Sequence, residues 1–234
     1  MGLRVRDRLA ALGCATTLAC VAGVRAGTVE VPTQVGGAYS VPVTSMREER
    51  TRATVRQQFD FSCGSAAIST LLTHHYGLPV SEQAVFQAMF DAGDRDKIRV
   101  EGFSLLDMKR YLERRGFEAD GFEAPLDSLA SANIPAVVLL NESGYNHFVV
   151  VKGLRDGRVL FGDPASGTRS MPRAAFESRW VNQILFVVSN HQGTARFNAA
   201  TDWQAAPLAP IGNLAGGPTG TAAIALPKFG SADF

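Results

Sequence analysis

The 234 residues suffice for one substantial domain with appendages. At 46% hydrophobic and 19% charged the composition is ordinary for a soluble globular protein. A formal net charge of +1, with no basic run, leaves no electrostatic case for nucleic acid or for a membrane-surface patch.

Residues 1–8 are short and basic, Leu9 to Val24 is apolar and small, and Val24-Arg25-Ala26 fits a small-x-small cleavage site. This order reads as a secretory signal peptide over residues 1–26. It predicts export to the periplasm, or inner-membrane anchoring if the segment is retained. Gly13, Thr16, Thr17 and Gly23 make the apolar stretch a weak permanent span. Thr17-Leu18-Ala19-Cys20 resembles a lipoprotein box only faintly, with Thr17 where Leu is usual. Cleavage would remove four arginines and one aspartate, taking the formal charge from +1 to −2. It would also remove Cys14 and Cys20, leaving Cys63 alone. A lone thiol in an oxidising compartment is buried and inert, paired between chains, or reactive.

Residues 27–46 are β-prone but broken by Pro32, Gly36-Gly37 and Pro42, which predicts an extended N-terminal arm. Gly36-Gly37 reads as a flexible turn rather than a self-processing site. Ile68, Leu71, Leu72 and His75 recur at helical spacing after Cys63, and Gly77 and Pro79 end that helix. Ser81 caps a second helix to about Phe90, followed by a polar, charged loop over 91–101. Ser104 with Asp107 forms a capping box for a third helix, which Gly116 closes. A short helix covers 126–132.

The period then changes. Residues 136–140 form a continuous apolar strand, and 147–152 and 158–161 are strands joined by the hairpin signal Asp156-Gly157. Gly162-Asp163-Pro164 ends the latter. A short strand at 168–171, a helix over 172–179 and an apolar strand over 183–188 follow. Beyond Ser189 the composition shifts to Ala, Gly and Pro, which predicts a loosely ordered tail over 190–234. Helices first and hairpin strands later predict an α+β domain over 47–189.

Cys63 falls in the first turn of its helix, with Asp60 or Ser62 as cap, where partial positive charge favours thiolate. Gly64 is read as leaving room for a substrate backbone beside the sulfur. Gln57, six residues upstream, is placed to donate its amide to an oxyanion. A cysteine nucleophile needs a base and an orienting group. His74 and His75 lie roughly 16–18 Å along the helix axis from Cys63, too far to touch its sulfur. His75 reads as a core residue, His74 as a surface one, and His191 falls in the expected tail. His147 remains, at the start of its strand. Asp163 ends the strand paired with it, at the same end of the sheet, in reach of His147.

The stretches Gln57…Asp60-Phe61-Ser62-Cys63-Gly64-Ser65-Ala66-Ala67, Gly102-Phe103-Ser104-Leu105-Leu106-Asp107-Met108-Lys109, Asn146-His147-Phe148-Val149-Val150-Val151 and Gly162-Asp163-Pro164 resemble the C39 peptidases. These are papain-like double-glycine peptidases that trim bacteriocin leader peptides. The likeness covers roughly residues 47–189 and is strongest to stand-alone exported members, including the peptidase-like component of functional-amyloid secretion systems. It implies a papain-like fold, N-terminal helices on a C-terminal antiparallel sheet. It also implies Cys63 as nucleophile, His147 as general base and acid, Asp163 as orienting group and Gln57 as oxyanion donor. Cleavage after Gly-Gly follows from it, with a polypeptide substrate and no metal or other cofactor. The chain has no Walker A motif, so no nucleotide is expected. A transporter or outer-membrane secretion apparatus encoded nearby is the expected partner. The competing classes are a non-catalytic binding or chaperone component of a secretion system and a peptidoglycan amidopeptidase.

Overall fold

A computed structural model describes residues 27–32 and 37–207; the expected signal peptide, Gly36 and residues 208–234 lie outside the described residues. The chain divides into two units, 1–44 and 45–234.

In the first unit, β1 (Gly27–Pro32) and β2 (Ala38–Val43) pair antiparallel. The expected arm is thus a hairpin. Val29 faces Val41 and Val31 faces Tyr39 across the ladder, so one side of the hairpin is apolar and exposed.

The second unit begins at Ser45, whose hydroxyl caps α1 (Met46–Thr51). Its centre is a six-stranded antiparallel sheet in the order β3-β8-β4-β5-β6-β7. The strands are β3 (Ala119–Glu123), β4 (Ala136–Glu142), β5 (Tyr145–Arg155), β6 (Arg158–Asp163), β7 (Gly167–Pro172) and β8 (Ile184–Val188). Strand period two divides the side chains between two cores. Val137, Phe148, Val150, Phe186 and Val188 join the core under the helices α2 (Cys63–Thr70), α3 (Glu82–Ala92) and α5 (Leu105–Glu113). Ala136, Val138, Leu140, Val149, Val151 and Phe161 face the opposite core, with Leu129 of α6 (Asp127–Ala132) and Phe176 of α7 (Arg173–Glu177). Burial on both faces is why β4 reads as an unbroken apolar run. Each such Val, Leu or Phe contributes about 1.5–3 kcal/mol when taken fully out of water.

The turn signals hold in detail. Asp156 (φ 52°) and Gly157 (φ 68°) both adopt the left-handed conformation that a two-residue hairpin needs, between paired Arg155 and Arg158. The register then shifts at Lys152, from Gly153 opposite Leu160 to Val151 opposite Phe161, which is a β-bulge. Ser104 Oγ accepts from Asp107 N while Asp107 Oδ2 accepts from Ser104 N, the expected capping box.

Four expectations change. Residues 91–101 are not all loop: Asp94 caps α4 (Arg95–Glu101), whose buried residue is Ile98. The edge strand β3 was not foreseen. The helix after Cys63 passes into a π-helical turn over Leu71–His75. The ordered body runs past Ser189 to Ala206, so a loose tail does not start at residue 190. A 3₁₀ turn (Gln192–Thr194) and α8 (Ala200–Gln204) fold back, burying Phe197 and Trp203. Backbone bonds from Arg196 N to His75 O and from Asn198 N to Lys152 O fix this segment.

Candidate active site

Cys63 is the first residue of α2 and is 8% exposed. Ser62 occupies the cap position, but its hydroxyl turns back to Phe59 O rather than capping the helix, so the first-turn amides remain turned toward the cysteine. Burial pushes the Cys63 thiol up, and the negative charge of Asp163 adds to this. The backbone N–H groups of Phe148, Gly64 and Cys63 itself act in the thiolate's favour without outweighing burial. A helix start alone therefore does not ionise this sulfur. Gly64 is required by packing: a Cβ there would lie 2.8 Å from Met108 Cε and 3.0 Å from Phe103 Cβ. It lets α2 approach α5.

His147 lies in β5 opposite Leu140, and Phe148, whose amide faces the Cys63 sulfur, follows it. The imidazole is buried, with Nε2 3.6 Å from Asp163 Oδ2. Neither ring nitrogen has a hydrogen-bond partner among the described residues. Tyr145 stacks on the ring at 5.9 Å between centroids and donates from its hydroxyl to Asp60 O at 2.8 Å, tying β5 to the loop before Cys63.

Asp163 ends β6. Its Oδ1 accepts from Ala165 N (2.8 Å), and its Oδ2 accepts from Ser166 Oγ (2.9 Å) and Arg169 (2.9 Å). Burial alone would raise this carboxyl. His147, the Ala165 N–H and the Arg169 guanidinium outweigh it and hold Asp163 down to about 2.

Gln57 is anchored next to this turn, donating its backbone N–H to Pro164 O at 3.0 Å. Its side-chain Nε2 donates to Phe59 O (3.1 Å) and Asp60 O (3.3 Å), so the amide is turned into its own loop here. A cleft of about 750 Å³ opens beside Cys63, between α4 and the connection after it, the N-terminal part of α5 and the start of β5. Phe61, Val100, Leu106, Tyr145 and Phe148 give it apolar wall, with Asp60, Asp94, Lys97, Arg99 and Arg110 around them.

Sequence reasoning missed Arg169, Glu142 and Tyr145. Arg169 joins Glu142 Oε1 (2.7 Å) to Asp163 Oδ2. Glu142, His147 and Asp163 bring ligand-type atoms within 4.8 Å of one another, but the guanidinium already bridges the two carboxylates. The signal available was pairing parity: Asp163 pairs with Gly167, and Arg169 lies two residues on, on the same face. The other histidines are accounted for. His75 is buried and its Nδ1 meets Arg196 O at 2.6 Å, His74 is half-buried, and His191 packs on Phe117 rather than trailing in a tail.

A sequence model of the Peptidase C39 family matches residues 51–192. The "Probable functional amyloid protease FapD" of Pseudomonas fluorescens is 41% identical over 178 residues, 76% of this chain and 78% of that protein. Its namesake in Pseudomonas aeruginosa is 43% identical over 163 residues, 70% of this chain and 71% of that one. Among solved structures, the peptidase domain of Streptococcus ComA, a bi-functional ABC transporter, superposes with a TM-score of 0.49 at 20% identity, covering 58% of this chain and 97% of that domain.

Proposed function

The chain belongs to the peptidase C39 family and is a cysteine peptidase, and on that premise we propose that it processes a secreted or surface-assembled polypeptide, cutting after a Gly-Gly pair, with Cys63, His147 and Asp163 as its catalytic group. The observation that carries this reading is the environment of His147. Nε2 is turned to Asp163, and Nδ1 is unpartnered in a buried position next to Phe148, whose amide faces the Cys63 sulfur. Nδ1 takes the thiol proton, which offsets the burial that otherwise keeps Cys63 protonated. Sγ attacks the scissile carbonyl carbon. The Cys63 N–H and the Gln57 amide, released from Phe59 O and Asp60 O, donate to the oxyanion. His147 returns the proton to the leaving amine nitrogen, leaving a thioester. It then takes a proton from the attacking water and passes it to the departing sulfur, re-forming the thiol, and the acyl product leaves as a carboxylic acid that gives its proton to solvent. Asp163, ionised at all working pH values, holds the ring in register throughout.

The Pseudomonas relatives, described as probable functional amyloid proteases, support an amyloid-forming polypeptide as substrate. The basic, apolar and small order of residues 1–26 supports a periplasmic reaction. The experiment incubates wild type and Cys63→Ala with synthetic peptides carrying a Gly-Gly pair and with purified murein, followed by mass spectrometry. Cleavage after Gly-Gly by wild type alone is expected. Retained cleavage by the alanine variant refutes the nucleophile, and peptide release from murein alone moves the enzyme to cell-wall chemistry.

A further inference from the structure

The least expected feature of the site is a cation shared by two acids behind the histidine. Arg169 lies in β7, Glu142 ends β4 and Asp163 ends β6, and one guanidinium nitrogen reaches both carboxylates, at 2.7 and 2.9 Å. The guanidinium also lies over the Phe161 ring at 4.9 Å, which fixes its plane. Asp163 Oδ2 is the oxygen turned to His147, and it serves Ser166 Oγ and Arg169 as well. The orienting carboxylate therefore divides its charge among three neighbours, and Glu142 draws the guanidinium in the opposite direction.

We propose that Arg169 is a positioning residue that, held between Glu142 and Asp163, fixes the Asp163 carboxylate and sets how much of its charge reaches the Cys63–His147 pair. The inference rests on the catalytic reading above. Two consequences have opposite sign. Removing the Arg169 charge leaves two acids facing His147, so the thiolate forms at higher pH. Removing the Glu142 charge leaves the guanidinium wholly to Asp163, so the thiolate forms at lower pH. Lysine keeps the charge but lacks the planar fork, and recovers only part of the effect. Among the described residues, Tyr145 on β5 and Asp60 on the loop before α2 also lie near this pair, and all variants keep them.

The rate of Cys63 alkylation by iodoacetamide as a function of pH reports this directly and needs no substrate. The full chain is used, and the Cys63 peptide is followed by mass spectrometry so that Cys14 and Cys20 do not interfere. Arg169→Gln is expected to move the inflection up by at least about 0.5 pH unit, Glu142→Gln to move it down, and Arg169→Lys to fall between wild type and Arg169→Gln. Unmoved inflections in all three, with only stability changed, reduce Arg169 to a structural brace and overturn the proposal. If Arg169→Gln does not fold, Glu142→Gln decides by itself, since it leaves the Arg169–Asp163 contact in place. His147→Ala separates the two levels. It should abolish the wild-type inflection, and an inflection indifferent to it refutes the Cys63–His147 pair itself.

Discussion

Two buried histidines, His75 and His147, sit in opposite electrostatic settings, and the difference separates the role of a brace from the catalytic role proposed for His147. His75 ends the π-helical turn with Nδ1 bonded to Arg196 O, near Lys152, whose ammonium reaches Ala53 O (2.6 Å) and Asp202 (3.1 Å). Burial first, and the Lys152 charge second, lower His75 to about 3, so it cannot exchange protons near neutrality. His147 is buried too, but among the described residues neither of its nitrogens has a hydrogen bond, and its neighbour is a carboxylate. His75 Nε2 also lacks a partner among the described residues, so what separates the two rings is the bond held by His75 Nδ1 and the sign of the neighbouring charge, a cation beside His75 and a carboxylate beside His147.

Substitutions should separate the two regions, beginning with the largest effect. Cys63→Ala should abolish peptide cleavage while its urea unfolding midpoint stays near wild type. His147→Ala should lower kcat/KM by about 10²–10⁴-fold. His75→Gln should do the reverse, sparing kcat/KM and lowering the midpoint. Next comes Lys152→Met, which leaves Asp202 buried without its cation and should cost about 3–5 kcal/mol in urea unfolding. Adding Asp202→Leu should recover most of that loss. Asp163→Asn keeps the shape but loses the hold on the ring, and kcat should fall by about 10²-fold with KM little changed.

A separate effect is in pH. Folded His75 takes its proton only near 3, whereas the unfolded side chain takes it near 6.5. Below 6.5 the unfolded state binds more protons, so stability falls with pH, by up to about 1.4 kcal/mol per unit, until pH 3. His75→Gln should flatten that slope in urea melts at pH 7.5, 5.5 and 4.5. A slope unchanged by the substitution would move the pH sensitivity elsewhere. The depressed Asp163 acts lower: its contribution is intact above about 3.8 and is lost as pH falls through about 2.

What the sequence made legible was whatever had a local signature. The Ser104–Asp107 box, the Asp156-Gly157 turn and the apolar run at 136–140 each declare themselves within a few residues. Cys63, His147 and Asp163 could be placed because each adjoins such a mark. The failures share a cause. In β3, Ala119 is the buried residue and Gly121 breaks any alternation, so its pairing with β8 has no local sign. Charged α4 has one buried residue, and its cap, Asp94, was the available clue. Phe197 and Trp203 are isolated anchors in Ala-rich chain, and their burial depends on contacts with Lys152 and His75 far upstream. Arg169 was invisible because its role depends on strand register, which composition does not carry.

That register hangs on one residue. Counting back from Arg155 opposite Arg158, an unbroken ladder would set Asp163 opposite Val150, on the side of the sheet that faces α2. The extra residue at Lys152 reverses the parity, so that Gly162 meets Val150 and Asp163 falls on the side shared by Val149 and His147. Carboxylate and imidazole are neighbours only because β5 is one residue longer than β6 requires. Along this hairpin, gaining or losing a single residue at the bulge would leave His147 and Asp163 in the sequence and still put them on opposite faces of the sheet, so the spacing between them carries as much of the proposed site as the residues themselves.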